Sequence, residues 1–165
     1  IATVTDRQHI DNIKALSDSS KQYSEIFNGG KINFGIAQKM LNLYLKYQWC
    51  LGNIDEPPHF PVDRIIQQKL NEQAKLKGLP KLELLPWTQF KDETHYNKVI
   101  NHARALNITT PAKLELKLFQ DNIANIFNVK ITSSDCGINN DKEMCHIKQK
   151  KWLIFSLLMA NLSNI

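Results

Sequence analysis

Glycine and proline cut this chain into helix-sized lengths. The main breaks are Asn28-Gly29-Gly30, Gly52 followed by Pro57, Pro58 and Pro61, Gly78 followed by Pro80, and Thr110-Pro111. Glycine tolerates the left-handed backbone with which helices end. Proline inside a helix removes a hydrogen bond and clashes with the preceding turn. Between the breaks, apolar residues recur at spacings of three and four. The pattern predicts an all-α fold, a compact bundle of about five helices over residues 1–128 with a loosely attached C-terminal tail over 129–165.

The first helix is expected over about 6–27, capped by Thr5 or Asp6, with Ile10, Ile13, Leu16, Tyr23 and Ile26 inward. The second, about 34–51, presents Ile36, Met40, Leu43, Tyr44, Tyr47 and Leu51 as an apolar face. The third starts at Asp63, whose carboxylate can accept the free N–H groups of a first turn. Ile65, Ile66, Leu70 and Ala74 give it a partial apolar face. "LELL" at 82–85 reads as a short strand or an extended link. A fourth helix over about 88–106, capped by Thr88, turns Phe90, Val99, Ile100, Ala103 and Leu106 inward. The fifth, about 110–128, starts with a Thr-Pro pair suited to a cap and first turn. Beyond it lies a polar loop, then an apolar run from Trp152 to Ala160. That run is shorter than the roughly 20 residues of a bilayer span. A buried helix, a peripheral anchor and an unpacked extension are the readings it leaves open.

The chain holds 21 Lys+Arg against 16 Asp+Glu, a net +5. This sign suits a polyanionic partner, nucleic acid before membrane; it equally keeps a small protein in solution. An apolar fraction of 42% can build a core without staples. Cys50, Cys136 and Cys145 are an odd number without framework spacing, which points to a reducing, cytoplasmic setting. "IATVTDRQHIDNIK" lacks the apolar centre of a signal peptide. No two of the five histidines are four residues apart, and Cys136, Cys145 and His146 have no zinc-finger spacing. No phosphate-binding glycine loop is present. Neither a metal nor another cofactor is expected.

Two segments can carry chemistry. In the second helix, spacings of three and four put Lys39, Asn42 and Lys46 on one face, opposite the apolar one. They form either a plain solvated face or a site. Lys39 sits in the first turns, where the helix dipole disfavours a second positive charge, and a lysine so placed is a candidate Schiff-base nucleophile. The rigid "PPHFPVDR" then fixes His59 and delivers Asp63 and Arg64. Cys50 with His59 would be a hydrolase pair, though Cys50 near the end of an apolar helix reads first as packed. Lys91, His95, Lys98, His102 and Arg104 give the fourth helix a positive side.

"GIAQKMLN", residues 35–42, resembles the Gly-x-Gly-x-Lys-x-x-Asn stretch of helix-hairpin-helix DNA glycosylases. "PVDRII", residues 61–66, is similar to the Pro-Val-Asp segment that follows it there. The resemblance implies that Lys39 attacks the sugar C1′ of a damaged nucleotide, with Asp63 handling protons and stabilising positive charge. It also implies that Gly35 offers backbone N–H groups to a phosphate and that the target base is flipped out of the duplex. The nucleic-acid surface would then comprise Gly35, Asn42, Lys46, His59, Arg64, Lys91 and Lys98. The chain departs from the family at Ala37, where a glycine is usual, and at Asn33-Phe34, where a leucine-proline pair is usual. Two function classes follow: a DNA glycosylase or abasic-site lyase using Lys39 and Asp63, and a non-catalytic helical module binding nucleic acid or another protein.

Overall fold

The computed structural model describes residues 4–126, with side-chain surroundings through Phe119. The tail expected over 129–165, with its apolar run, lies outside the described residues. Within them are five α-helices and no strand: α1 (Asp6–Ser19), α2 (Phe34–Cys50), α3 (Arg64–Leu76), α4 (Glu93–Ala105) and α5 (Pro111–Ile126). α1 packs on α2, while α3, α4 and α5 pack on one another. No helix among the described residues is long and apolar enough to cross a membrane.

Local chemistry sets the helix starts. The Thr5 hydroxyl accepts from the Gln8 N–H, and the Gln8 side chain accepts from the Thr5 N–H in return. Asn33 caps α2 by accepting from Ile36 N–H, and Asp63 caps α3 by accepting from Ile66 N–H at 2.9 Å.

Two boundaries differ from the sequence expectation. The first helix stops at Ser19 and continues as a 3₁₀ segment, Ser20–Ile26, in which Tyr23 leaves helical geometry. Serine hydroxyls tie this corner to the returning chain: Ser17 donates to the Ile32 carbonyl, and Ser20 accepts from the Ile32 N–H. Tyr23 and Ile26, expected inside, are consequently exposed. The fourth helix begins at Glu93, capped by Asp92 rather than Thr88. Trp87–Gln89 form a separate 3₁₀ turn, because Phe90 takes an extended backbone and is buried, its carbonyl accepting from Gly35 N–H. Residues 82–85 are an extended link. Its backbone is satisfied by side chains of α3: Asn71 bonds both polar groups of Leu82, and Gln67 both of Leu85.

The core comprises Ile10 and Ile13 of α1, Ala37 of α2, Phe60 and Val62 of the proline loop, and Ile66, Leu70 and Ala74 of α3. Phe90, Tyr96, Val99, Ile100, Ala103, Leu106, Leu114 and Leu118 complete it. Every residue expected inward around the fourth helix is buried, and Tyr96, not expected there, is buried with them. α2 is turned the other way. Its buried residues are Phe34, Gly35, Ala37, Gln38, Asn42 and Lys46, whereas Met40, Tyr44 and Leu51 are 54%, 60% and 51% exposed. The face expected to be solvated is the core face. Ile65 of α3, also expected inward, is half exposed.

Gly35 shows how tightly α2 sits against the Trp87–Phe90 turn. A β-carbon there would lie 1.7 Å from the Trp87 carbonyl oxygen, so only glycine fits this approach.

Candidate functional site

Each polar side chain on the buried face of α2 ties a different part of the fold. Gln38 serves the proline loop, donating to the Val62 carbonyl at 2.8 Å and accepting from the Val62 N–H at 3.1 Å. One turn on, Asn42 accepts from His9 Nε2 of α1 at 2.8 Å and donates to Tyr96 Oη of α4 at 3.0 Å. A further turn on, Lys46 pairs with Glu115 of α5 at 2.8 Å and lies 4.8 Å from the Phe119 ring. Buried amides and charges are tolerated only when paired in this way.

The Asn42 chain continues to the surface with every donor assigned. Tyr96 Oη, having accepted from Asn42, donates its proton to His59 Nδ1 at 2.9 Å. His59 Nε2–H donates to Asp6 at 3.1 Å. Asp6 is clasped by Arg104 through two hydrogen bonds of 2.7 and 2.8 Å. This direction of donation requires His59 to be neutral, since a protonated ring could not accept from Tyr96. Burial pushes its pKa down to about 4, helped by the neighbouring His9 and opposed by Asp6. Burial lowers His9 as well, against the Asn42 hydrogen bond, and raises the Tyr96 hydroxyl. Arg104 holds Asp6 below the usual carboxylate range. In the second buried pair, burial raises Glu115 despite the pull of Lys46.

Two clefts reach this network. One, of about 590 Å³, is lined by His9, Leu41, Leu45, Pro57, Pro58 and Arg104 among others. The other, of about 310 Å³, includes Asp6, His59, Asn97 and Arg104.

The two residues expected to be catalytic do meet. Lys39 Nζ lies 2.6 Å from Asp63 Oδ2, with the two side chains 24% and 22% exposed. The same carboxylate caps α3, so the pair also joins α2 to α3. The expected nucleic-acid surface divides. Arg64, Lys91 and Lys98 are exposed. Gly35, Asn42, Lys46 and His59 are buried, because they face the core instead of a ligand. The Gly35 N–H is turned to the Phe90 carbonyl and offers nothing to a phosphate. Both ring nitrogens of His59 are committed, to Tyr96 and Asp6, so a Cys50–His59 pair does not form. His95 donates to Gln67 and does not share a ligand set with His102. Among the described residues no three His, Cys, Asp or Glu side chains gather as metal ligands.

Asp6 was expected only as a helix cap, and His9, Gln38, Tyr96 and Glu115 were not singled out for any role. The one available signal was the spacing of Gln38, Asn42 and Lys46, four residues apart on one face. No family model, no curated protein and no solved structure matches the chain.

The histidine network makes stability depend on pH. The folded-state pKa of His59 lies below its ordinary value of 6.5. Between the two values the unfolded chain binds a proton that the folded chain refuses, so stability is complete above the ordinary value and falls as pH drops. Urea titrations should give a loss of roughly 2 kcal/mol from pH 7 to pH 5. His59→Gln should remove most of that loss. A wild-type stability that stays level over this range would contradict the neutral, buried assignment.

Proposed function

We propose that this chain is a non-catalytic interaction module that binds an apolar segment of a protein along the outward face of α2. The single observation behind this reading is the orientation of that helix. Its polar stripe is consumed inside the fold, and Met40, Tyr44 and Leu51 stand outside. At 100° per residue these three lie within about 40° of one another and opposite Asn42. Large apolar side chains aligned on one exposed ridge mark a surface that another chain covers. A helix seated by anchors spaced one turn apart is a common way to cover it. A polypeptide fits this ridge better than a polyanion. The α2 members of the expected nucleic-acid surface, Gly35, Asn42 and Lys46, are buried, and Lys46 is paired with Glu115.

Photo-cross-linking in the host cell tests the reading. A benzophenone amino acid in place of Tyr44 should give a discrete protein adduct that Leu51→Glu abolishes. The same probe in place of the exposed Glu72 of α3 should not give that adduct. Equal adduct patterns at the two positions, or none at position 44, would overturn it.

A second reading, DNA glycosylase or abasic-site lyase activity, is favoured by one distance, the 2.6 Å between Lys39 and Asp63. Here Lys39 would form the Schiff base and nucleic acid would be the partner. Borohydride reduction over an abasic-site duplex should then trap a covalent complex with the wild-type chain and none with Lys39→Ala. Absence of trapping, or trapping that survives the substitution, removes this reading.

A further inference from the structure

We infer that the cleft walled by α1, α2 and the proline loop binds a small organic amine, with its ammonium group at Asp55 and its apolar body along Leu41, Leu45 and Pro58. This goes beyond the reading of the α2 ridge, since none of Met40, Tyr44 and Leu51 lines the cleft.

The walls follow from the path of the chain. Leu41 and Leu45 are four residues apart and half-buried, so α2 offers them as one apolar strip. Gly52, at φ +79°, ends the helix. The chain then returns with Ile54, Pro57 and Pro58 in the same lining. Thr110 and Lys113, at the start of α5, both bond Glu56 and so hold the loop in place. Two prolines and this anchorage keep the cleft formed without a ligand. Its volume of about 590 Å³ falls in the range of small-molecule sites, about 300–1,000 Å³.

The charged lining selects the sign of the ligand. Arg104 is matched by Asp6 through two hydrogen bonds, and Glu56 by Lys113 at 2.8 Å. Asp55 is exposed and has no ion-pair partner among the described residues. The cleft therefore carries one unmatched negative charge, which a cation answers and an anion does not.

His9 adds an acceptor at depth. It is 1% exposed, and its Nε2–H is given to Asn42, so the neutral ring keeps a bare lone pair on Nδ1. No described residue donates to that atom. Among the described residues the one sealed side-chain polar atom without a partner is His102 Nε2, so Nδ1 of His9 is open, and His9 lines this cleft. An N–H from a ligand is what such an atom lacks. An apolar strip, an unmatched carboxylate and a bare imidazole nitrogen together suit an alkyl- or arylammonium ion.

Three probes of one shape and different charge supply the test: phenethylammonium, 2-phenylethanol and 3-phenylpropionate, each titrated into the isotope-labelled full-length chain at neutral pH. Phenethylammonium should shift the amide resonances of Leu41, Leu45, Ile54 and Asp55 saturably, with a Kd of about 0.1–1 mM. 2-Phenylethanol should bind roughly fivefold more weakly, and 3-phenylpropionate roughly tenfold. Asp55 is exposed, so Asp55→Lys leaves the fold intact; in that variant the order should reverse, with 3-phenylpropionate ahead of phenethylammonium. No saturable shift at these residues, equal affinity for the three probes, or an order unchanged by Asp55→Lys would overturn the inference.

Discussion

The side-chain amide of Asn42 has no exposed surface and joins three elements: His9 of α1, Tyr96 of α4, and Gln38 of its own helix. An amide buried without partners costs about 1–3 kcal/mol for each unsatisfied group. Here every group is satisfied, but only if α1, α2 and α4 take one mutual arrangement. Gln38 and Lys46, one turn to either side, impose the same condition on the proline loop and on α5. Apolar packing alone tolerates sliding and repacking. A run of directional bonds along one helix face does not, so this stripe sets the register of the whole bundle.

The orientation of α2 follows from that stripe. Once Gln38, Asn42 and Lys46 point inward, residues half a turn away must point outward, whatever their polarity. Met40, Tyr44 and Leu51 are those residues. The structure thus gives up the burial of three large apolar side chains in favour of a polar interior. The paired polar interior keeps the helix from turning its apolar ridge into the core.

Much of the architecture was legible because its causes are local. The breaks at Gly52, Gly78 and Pro111, the caps at Thr5 and Asp63, and most of the inward set of α4 depend on neighbours a few residues away. The orientation of α2 was not, because periodicity locates two faces without saying which lies inside. The partners that reverse the usual answer are distant in sequence: His9 is 33 residues from Asn42, Tyr96 is 54 away, and Glu115 is 69 from Lys46. The start of α4 failed for the same reason, since Phe90 is held extended by a contact with Gly35. Within the candidate site, the spacing of Lys39, Asn42 and Lys46 was visible but the burial of Asn42 and Lys46 was not. The meeting of Lys39 with Asp63 was expected from a resemblance of sequence; its capping role was expected from position alone.

α2 presents amides to the core and apolar side chains to the outside. Urea denaturation of two variants tests this directly. Asn42→Ala leaves His9, Tyr96 and Gln38 short of partners and should lower stability by roughly 2–4 kcal/mol. Tyr44→Ala, on the outer face, should cost less than about 1 kcal/mol. The reverse order, with Tyr44→Ala the more damaging and Asn42→Ala near neutral, would show that the helix faces the other way.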